Sequence, residues 1–152
     1  RADSHTQKTT GMRYLTPAGQ PPLLLAWSHA NFTPISGFPR QSGDVSIYGE
    51  ALGYPIWVVF GTLDVLSLMK FRVACATTTG GKDSFRPSWL EGHRFRIKIW
   101  PAKGEEETAR KLARQLDWRG HVVEIDWPDD SKDVNDLLVN GHEDIVAKVL
   151  GV

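Results

Sequence analysis

The stretch IWVVFGTLDVLSLMK, residues 56–70, decides the fold. Ile56-Trp57-Val58-Val59-Phe60 is an unbroken apolar run rich in β-branched and aromatic side chains. A strand without polar alternation has both faces covered, as in a parallel sheet. Gly61 supplies the turn, and Leu63, Leu66 and Met69, with Leu68 beside them, recur at helical spacing as the apolar stripe of a helix. Open α/β folds place their sites where such a strand delivers its carboxyl end into a turn and a helix.

The chain beyond this unit repeats the theme. Phe71–Ala76 reads as a second buried strand running into the loop Thr77-Thr78-Thr79-Gly80-Gly81-Lys82. Such a loop can offer backbone N–H groups to a phosphate, or be a plain turn. It is not a P-loop, because Ala76 and Asp83 stand where that motif needs glycine and Ser or Thr. Pro87–Glu91 suits a single helical turn. Arg94-Phe95-Arg96-Ile97-Lys98-Ile99-Trp100 alternates strictly, predicting a strand with one apolar face and one basic face. Pro101 and Gly104 turn the chain into a helix from Glu105 to Trp118, with acids in its first turn and a stripe of Ala109, Leu112, Ala113 and Leu116. His121–Trp127 is a further strand, stopped by Pro128. Asp133 can cap a short helix over 134–140 that Gly141 ends, and Ile145, Val146, Val149 and Leu150 mark a closing helix.

Residues 1–54 have a different texture. Arg1–Gly11 is polar, Met12–Leu15 and Leu23–Trp27 suit two short strands, and Ser28–Tyr54 is dense in Gly and Pro, with one candidate strand at Val45–Tyr48. The expected division is an irregular, partly β segment over 1–54 and an α/β domain with a mostly parallel central sheet over 55–152. His5 and His29 lack metal-ligand spacing to another histidine and read as surface or capping residues.

Composition limits the function. The 152 residues carry 18 basic and 18 acidic side chains, so net charge predicts no polyanion partner. The balance is local: Arg86–Arg119 holds nine basic and five acidic residues, whereas Gly120–Val152 holds two and eight. Cys75 is the single cysteine, excluding an internal disulfide and opposing a cysteine zinc site. With no apolar run near 18 residues and no charged-then-apolar leader, a cytoplasmic protein without a membrane partner is expected. The abrupt ends suggest a domain cut from a longer chain.

VVFGTLDVLSL, ATTTGG, RIKIWPAKGEEETARKLARQL and GHVVEIDWPDDSKDVNDLL occur in the order of a Toprim domain. The last segment resembles the bacterial and phage DNA primases and primase-helicases, where a strand ending in proline precedes a Lys-Asp-x-Asn-Asp turn; Lys132, Asp133, Asn135 and Asp136 match it. The resemblance spans about residues 55–138 and implies a replication context. That context would bring a single-stranded DNA or RNA template, weakly bound, and a helicase or other replication domain as partner. It also implies a Glu-Gly-x-x-Asp signature and an Asp-x-Asp pair that hold divalent metal for phosphoryl transfer. Gly61 and Asp64 keep part of the first, but the glutamate position is Phe60 and the aspartate positions are Trp100 and Ala102. Mg²⁺ needs converging oxygen ligands, which these three side chains lack.

Three readings follow. The first is a catalytically degenerate Toprim-like module that binds nucleic acid or a partner through Lys82, Arg94, Arg96, Lys98 and a stacking Trp100, with no metal or other cofactor. The second is an active Mg²⁺-dependent nucleotidyltransferase rebuilt from Asp64, Asp133, Asp136 and Glu105–Glu107. The third is a binding module for a small phosphorylated ligand at Thr77–Lys82.

Overall fold

The computed structural model describes residues 22, 24–27, 55–91, 93 and 96–152. The candidate strands at Met12–Leu15 and Val45–Tyr48, and Arg94 of the basic row, lie outside the described residues. Ile56–Val59 forms β2, and all four residues are buried. Each fully buried Ile or Val side chain of this kind contributes about 1.5–3 kcal/mol. The chain continues through α1 (Thr62–Met69), β3 (Cys75–Thr78), β4 (Ile97–Trp100), α2 (Glu106–Gln115), β5 (Gly120–Val122), α3 (Val134–Val139) and α4 (Glu143–Leu150). Leu24–Trp27 precedes them as β1.

The sheet order is β1-β3-β2-β4-β5, parallel throughout except that β1 runs antiparallel to β3. Leu24–Trp27, read from the sequence as part of the 1–54 segment, is thus the edge strand of the sheet built by residues 56–122. Side chains alternate across the sheet as a two-residue period requires. Ile56, Val58, Ile97 and Ile99 face a core closed by Phe85, Trp89, Leu90 and the Ala109, Leu112 and Leu116 stripe of α2. Trp57, Val59, Cys75 and Trp100 face the opposite core, closed by α1, α3 and α4 through Val65, Leu68, Val134, Leu137 and Val146. This is the α/β architecture expected, with helices on both faces of a mostly parallel sheet.

Several boundaries differ from the sequence reading for identifiable reasons. The second strand begins at Cys75 rather than Phe71, because residues 70–72 still form the turn leaving α1, with Arg72 at φ 57°. Helix α2 stops at Gln115, and Asp117–Arg119 finishes as a 3₁₀ turn. The ladder of β5 ends at Val122, not Trp127: Val123 N–H still reaches Ile99 O at 2.8 Å, but the next donor of that ladder would be residue 101, a proline without an N–H. Apolar alternation nevertheless persists, since Val123, Ile125 and Trp127 pack against the α1 side of the sheet.

The largest departure is in α1. Leu63 and Leu66, read as part of its inward stripe, are 52% and 50% exposed, whereas Asp64 and Ser67 are buried beside Val65 and Leu68. The helix turns two polar groups inward, and their partners lie near the far end of the chain.

Gly120 shows how closely α2 seats on β5. A Cβ there would lie 2.7 Å from Ala113 O and 2.8 Å from Ala113 Cα, both backbone atoms that cannot swing aside. Gly120→Ala is expected to lower stability by about 1–3 kcal/mol, as overpacking does. Urea titration of the full chain checks this, and an unchanged midpoint would contradict the packing.

Candidate functional site

The order of the sheet fixes where a site belongs. From β2 the chain passes through α1 to β3 on one side, then crosses to β4 on the other. The carboxyl ends of β2 and β4 therefore flank a topological switch point, the place where ligands enter open α/β sheets. At that point stand Phe60, Gly61, Trp100, Pro101 and Ala102. Phe60 is half-buried and packs with the α2-side core. Trp100 is 1% exposed, its ring centroid 6.2 Å from that of Trp57 at a tilt of 56°. The stacking role read for Trp100 is therefore not what the fold presents, because a base has no access to its face.

The basic row is corrected in the same way. Strand β4 is interior, and Lys98 sits opposite Trp57 on one side and His121 on the other, on the face that α1, α3 and α4 cover. Lys98 is half-buried there, while Arg96, before the strand, is exposed. A continuous open row of charge along this strand is not what the fold presents.

What the fold does gather is the Gly61–Asp64 pair and the Lys132–Asp136 turn. Gly61 precedes α1 in an extended conformation, and a Cβ on it would meet Asp64 Oδ2 at 3.0 Å. Glycine thus lets the carboxylate fold back over the start of the helix. Its other oxygen, Oδ1, accepts the Asn135 N–H at 2.9 Å. Ser67 Oγ lies 2.9 Å from Leu63 O and 3.2 Å from Asn135 Oδ1, completing the link between α1 and the turn.

Inside the turn, Asp133 Oδ1 accepts the Asp136 N–H at 2.8 Å as the cap of α3, and Asp136 Oδ2 accepts the Lys132 N–H at 3.0 Å. Lys103 N–H reaches Lys132 O at 2.6 Å, tying the turn to the loop after β4. Lys132 is exposed and joins the turn through its backbone N–H and carbonyl. Behind it, Asn140 Nδ2 donates to Asp130 O at 2.7 Å, and His142 Nε2 pairs with Asp130 Oδ1 at 2.9 Å.

Electrostatics mark Asp64 out. Burial raises its pKa from 3.8 to about 7; repulsion from Asp133 adds to the rise, the Asn135 N–H opposes it, and Asp136 and Glu105 add repulsion. Burial also raises Asp133, against its bond from the Asp136 N–H. These carboxylates converge, yet the backbone already holds an oxygen of each of Asp64, Asp133 and Asp136. Among the described residues, no three His, Cys, Asp or Glu side chains are grouped to hold a metal ion. The side chains at the switch point do not fit the divalent metal that the Toprim resemblance implies.

The Thr/Gly loop closes on itself. Thr77 and Thr78 are buried, Gly80 N–H bonds to Thr78 Oγ1 at 3.3 Å, and Ser84 N–H bonds to Gly81 O at 3.0 Å. A Cβ at Gly80 would meet Ser84 Oγ at 2.7 Å and Pro22 Cβ at 2.8 Å, so this glycine answers to packing. Cys75 is buried with its thiol pushed up to about 12, which makes it inert.

The sequence reading missed Ser67 as a partner of the turn, and Asn140 and His142 as partners of Asp130 just before it. For Ser67 a signal existed: it stands three residues after Asp64, a spacing that puts both on one side of the helix. It also missed an open groove of about 480 Å³ between residues 83–87 and α2, lined among others by Arg86, Lys111 and Gln115.

Titration of Asp64 leads to a prediction. Its folded pKa lies above the unfolded one, so the proton favours the fold. That stabilisation is complete below about pH 4 and is lost as pH rises through about 7. Wild-type stability relative to Asp64→Asn, which stays neutral and keeps an acceptor for Asn135, is expected to fall across this window. Urea unfolding of both proteins over that range checks it; a difference flat with pH would show that Asp64 is ionised throughout.

Comparison with known proteins gives one fold-level result. No family model matches the chain, and no curated protein matches it. Among solved structures, the primase fragment of the bacteriophage T7 primase-helicase protein is similar with a TM-score of 0.56 and 14% identity. The match covers 85% of this chain and 62% of that one, so this chain spans less than two thirds of the fragment. The resemblance to primases read from residues 55–138 thus holds for the fold: the chain has the mixed α/β fold of that primase fragment.

Proposed function

We propose that this chain is a primase-like replication module that acts by binding nucleic acid, its switch point no longer built for metal-dependent phosphoryl transfer. One observation carries the reading. Within a primase-fragment fold, Phe60, Trp100 and Ala102 occupy the positions the Toprim resemblance assigns to metal-linked acids, and two of them are packed into opposite cores of the sheet. A phosphoryl-transfer site works by placing charge against the reacting phosphate, and these uncharged side chains supply none.

The second reading, an active enzyme with relocated acids, fares worse on the geometry. Asp133 and Asp136 cap and close the turn before α3, and Asp64 accepts a backbone N–H in a setting that favours its protonated form. Each carboxylate thus has one oxygen committed to a backbone N–H, and among the described residues no three acids are grouped to hold a cation. The third reading loses support because the loop turns its Gly80 N–H onto Thr78 Oγ1, and its Gly81 carbonyl takes the Ser84 N–H.

Titrating the full chain with Mg²⁺ or Mn²⁺ in a calorimeter is expected to give no stoichiometric site of submillimolar affinity. Ribonucleotides on a single-stranded template are expected to yield no primer. A saturable site near one equivalent, weakened by Asp64→Asn, would replace this reading with the enzymatic one.

A further inference from the structure

Composition makes residues 86–119 basic, but three of those nine charges are engaged by partners within the fold. Arg110 pairs with Glu107 at 3.4 Å and with Glu124 at 3.6 Å, and Arg114 pairs with Glu107 at 3.5 Å. Arg119 donates to Leu90 O at 2.9 Å, His93 O at 2.7 Å and Leu116 O at 3.2 Å, acting as a backbone clamp. Lys98 is half-buried on the face covered by α1, α3 and α4. Arg86 and Lys111 differ: both are exposed, and they line the groove between residues 83–87 and α2.

We propose that this groove receives the phosphodiester backbone of a single-stranded nucleic acid, with Arg86 and Lys111 as the phosphate partners. The inference rests on the nucleic-acid reading above and names the surface that serves it. Size agrees, since about 480 Å³ is the scale of a pocket that holds a small molecule or one nucleotide. Lining agrees too: Phe85 and Leu112 give an apolar floor, and Thr108 and Gln115 add hydroxyl and amide groups beside the cations. The Arg86 guanidinium lies 5.9 Å from the centre of the Trp89 ring, and Trp89 is itself held edge-on to Phe85 with centroids 5.2 Å apart. That distance is at the outer range of a cation–π contact, so the ring attracts the guanidinium only weakly and leaves it able to meet a phosphate.

Charge favours a polymer backbone over a free nucleotide. Asp83 is in the groove as well, its Oδ1 3.5 Å from Thr108 Oγ1, so two cations and one carboxylate leave a single net positive charge. A phosphodiester brings one negative charge per nucleotide, which that net charge neutralises, whereas a terminal phosphate monoester, at about −1.5 to −2, would leave excess negative charge beside Asp83.

The test uses the full chain and a fluorescein-labelled oligothymidylate, followed by anisotropy over a range of salt. Wild type is expected to bind, and Arg86→Ser with Lys111→Ser to bind at least tenfold more weakly. The log–log salt slope of that double variant should flatten by about 1.4, two contacts at roughly 0.7 each. Both side chains are exposed, so an unchanged urea midpoint should confirm its fold. Amide shifts of Thr108, Lys111 and Gln115 on adding oligonucleotide to the unaltered chain give a readout independent of that variant, and no shift there overturns the assignment. Wild-type binding with affinity and slope kept in the double variant overturns the groove but leaves the nucleic-acid reading intact. Loss following Arg96→Ser with Lys98→Ser instead does the same. Displacement of the oligonucleotide by free dTTP at lower concentration than by a dinucleotide phosphodiester overturns the backbone assignment. Absence of wild-type binding even at low salt overturns both.

Discussion

Strand β2 must be covered on both faces, and that requirement organises the molecule. Ile56 and Val58 point to one side and Trp57 and Val59 to the other, all but excluded from water. Neighbours β3 and β4 satisfy its backbone, so a helical layer has to close each face. Helix α2 and the segment around Phe85–Leu90 close one, and α1, α3 and α4 close the other. Sending β3 and β4 to opposite sides of β2 then creates the switch point, before any functional side chain is considered.

A second constraint keeps that switch point in its present form. Asp64 is held by a turn distant in sequence, and the same turn is tied to the loop after β4 through the Lys103 N–H and Lys132 carbonyl. The Gly61–Asp64 pair and the Lys132–Asp136 turn therefore form one structural device, a staple joining the first βα unit to the last helices. This gives Asp64 a structural reason to stand in the first turn of α1. The Asn135 N–H needs an acceptor there whatever the site does. The buried, proton-favouring setting of Asp64 suits an acceptor better than a metal ligand.

Legibility followed the range of the interactions. The buried run 56–59, the α2 stripe and the Asp133 cap rest on neighbours within a few residues, and the fold places them as the sequence pattern indicates. The orientation of α1 was not legible in that way. Thr62–Met69 has leucines on more than one side, and apolar spacing alone favours turning Leu63 and Leu66 inward. Asp64 and Ser67 win the inner face because Asn135, 71 and 68 residues away respectively, satisfies both. A periodicity argument carries no information about such a partner. Trp100 failed similarly: its place at a strand end suggested access, but the neighbouring Trp57 and the α1-side core enclose it.

Charge was the least legible property, because a count of basic residues is not a surface potential. Of the basic side chains between residues 86 and 119, Arg110 and Arg114 are offset by Glu107, and Arg119 is committed to main-chain carbonyls. Exposed ion pairs of this kind contribute at most about 1 kcal/mol each to stability, yet they still neutralise the field that a polyanion would sense. Alternation along residues 94–100 drew the sequence reading to β4, whose interior position makes a poor docking edge. Arg86 and Lys111 belong to a 3₁₀ approach and to a helix, 25 residues apart, and no linear pattern joins them. Only the packing of α2 against the Phe85–Leu90 segment brings them to one groove, so the structure, not the composition, says where a phosphate would find two cations together.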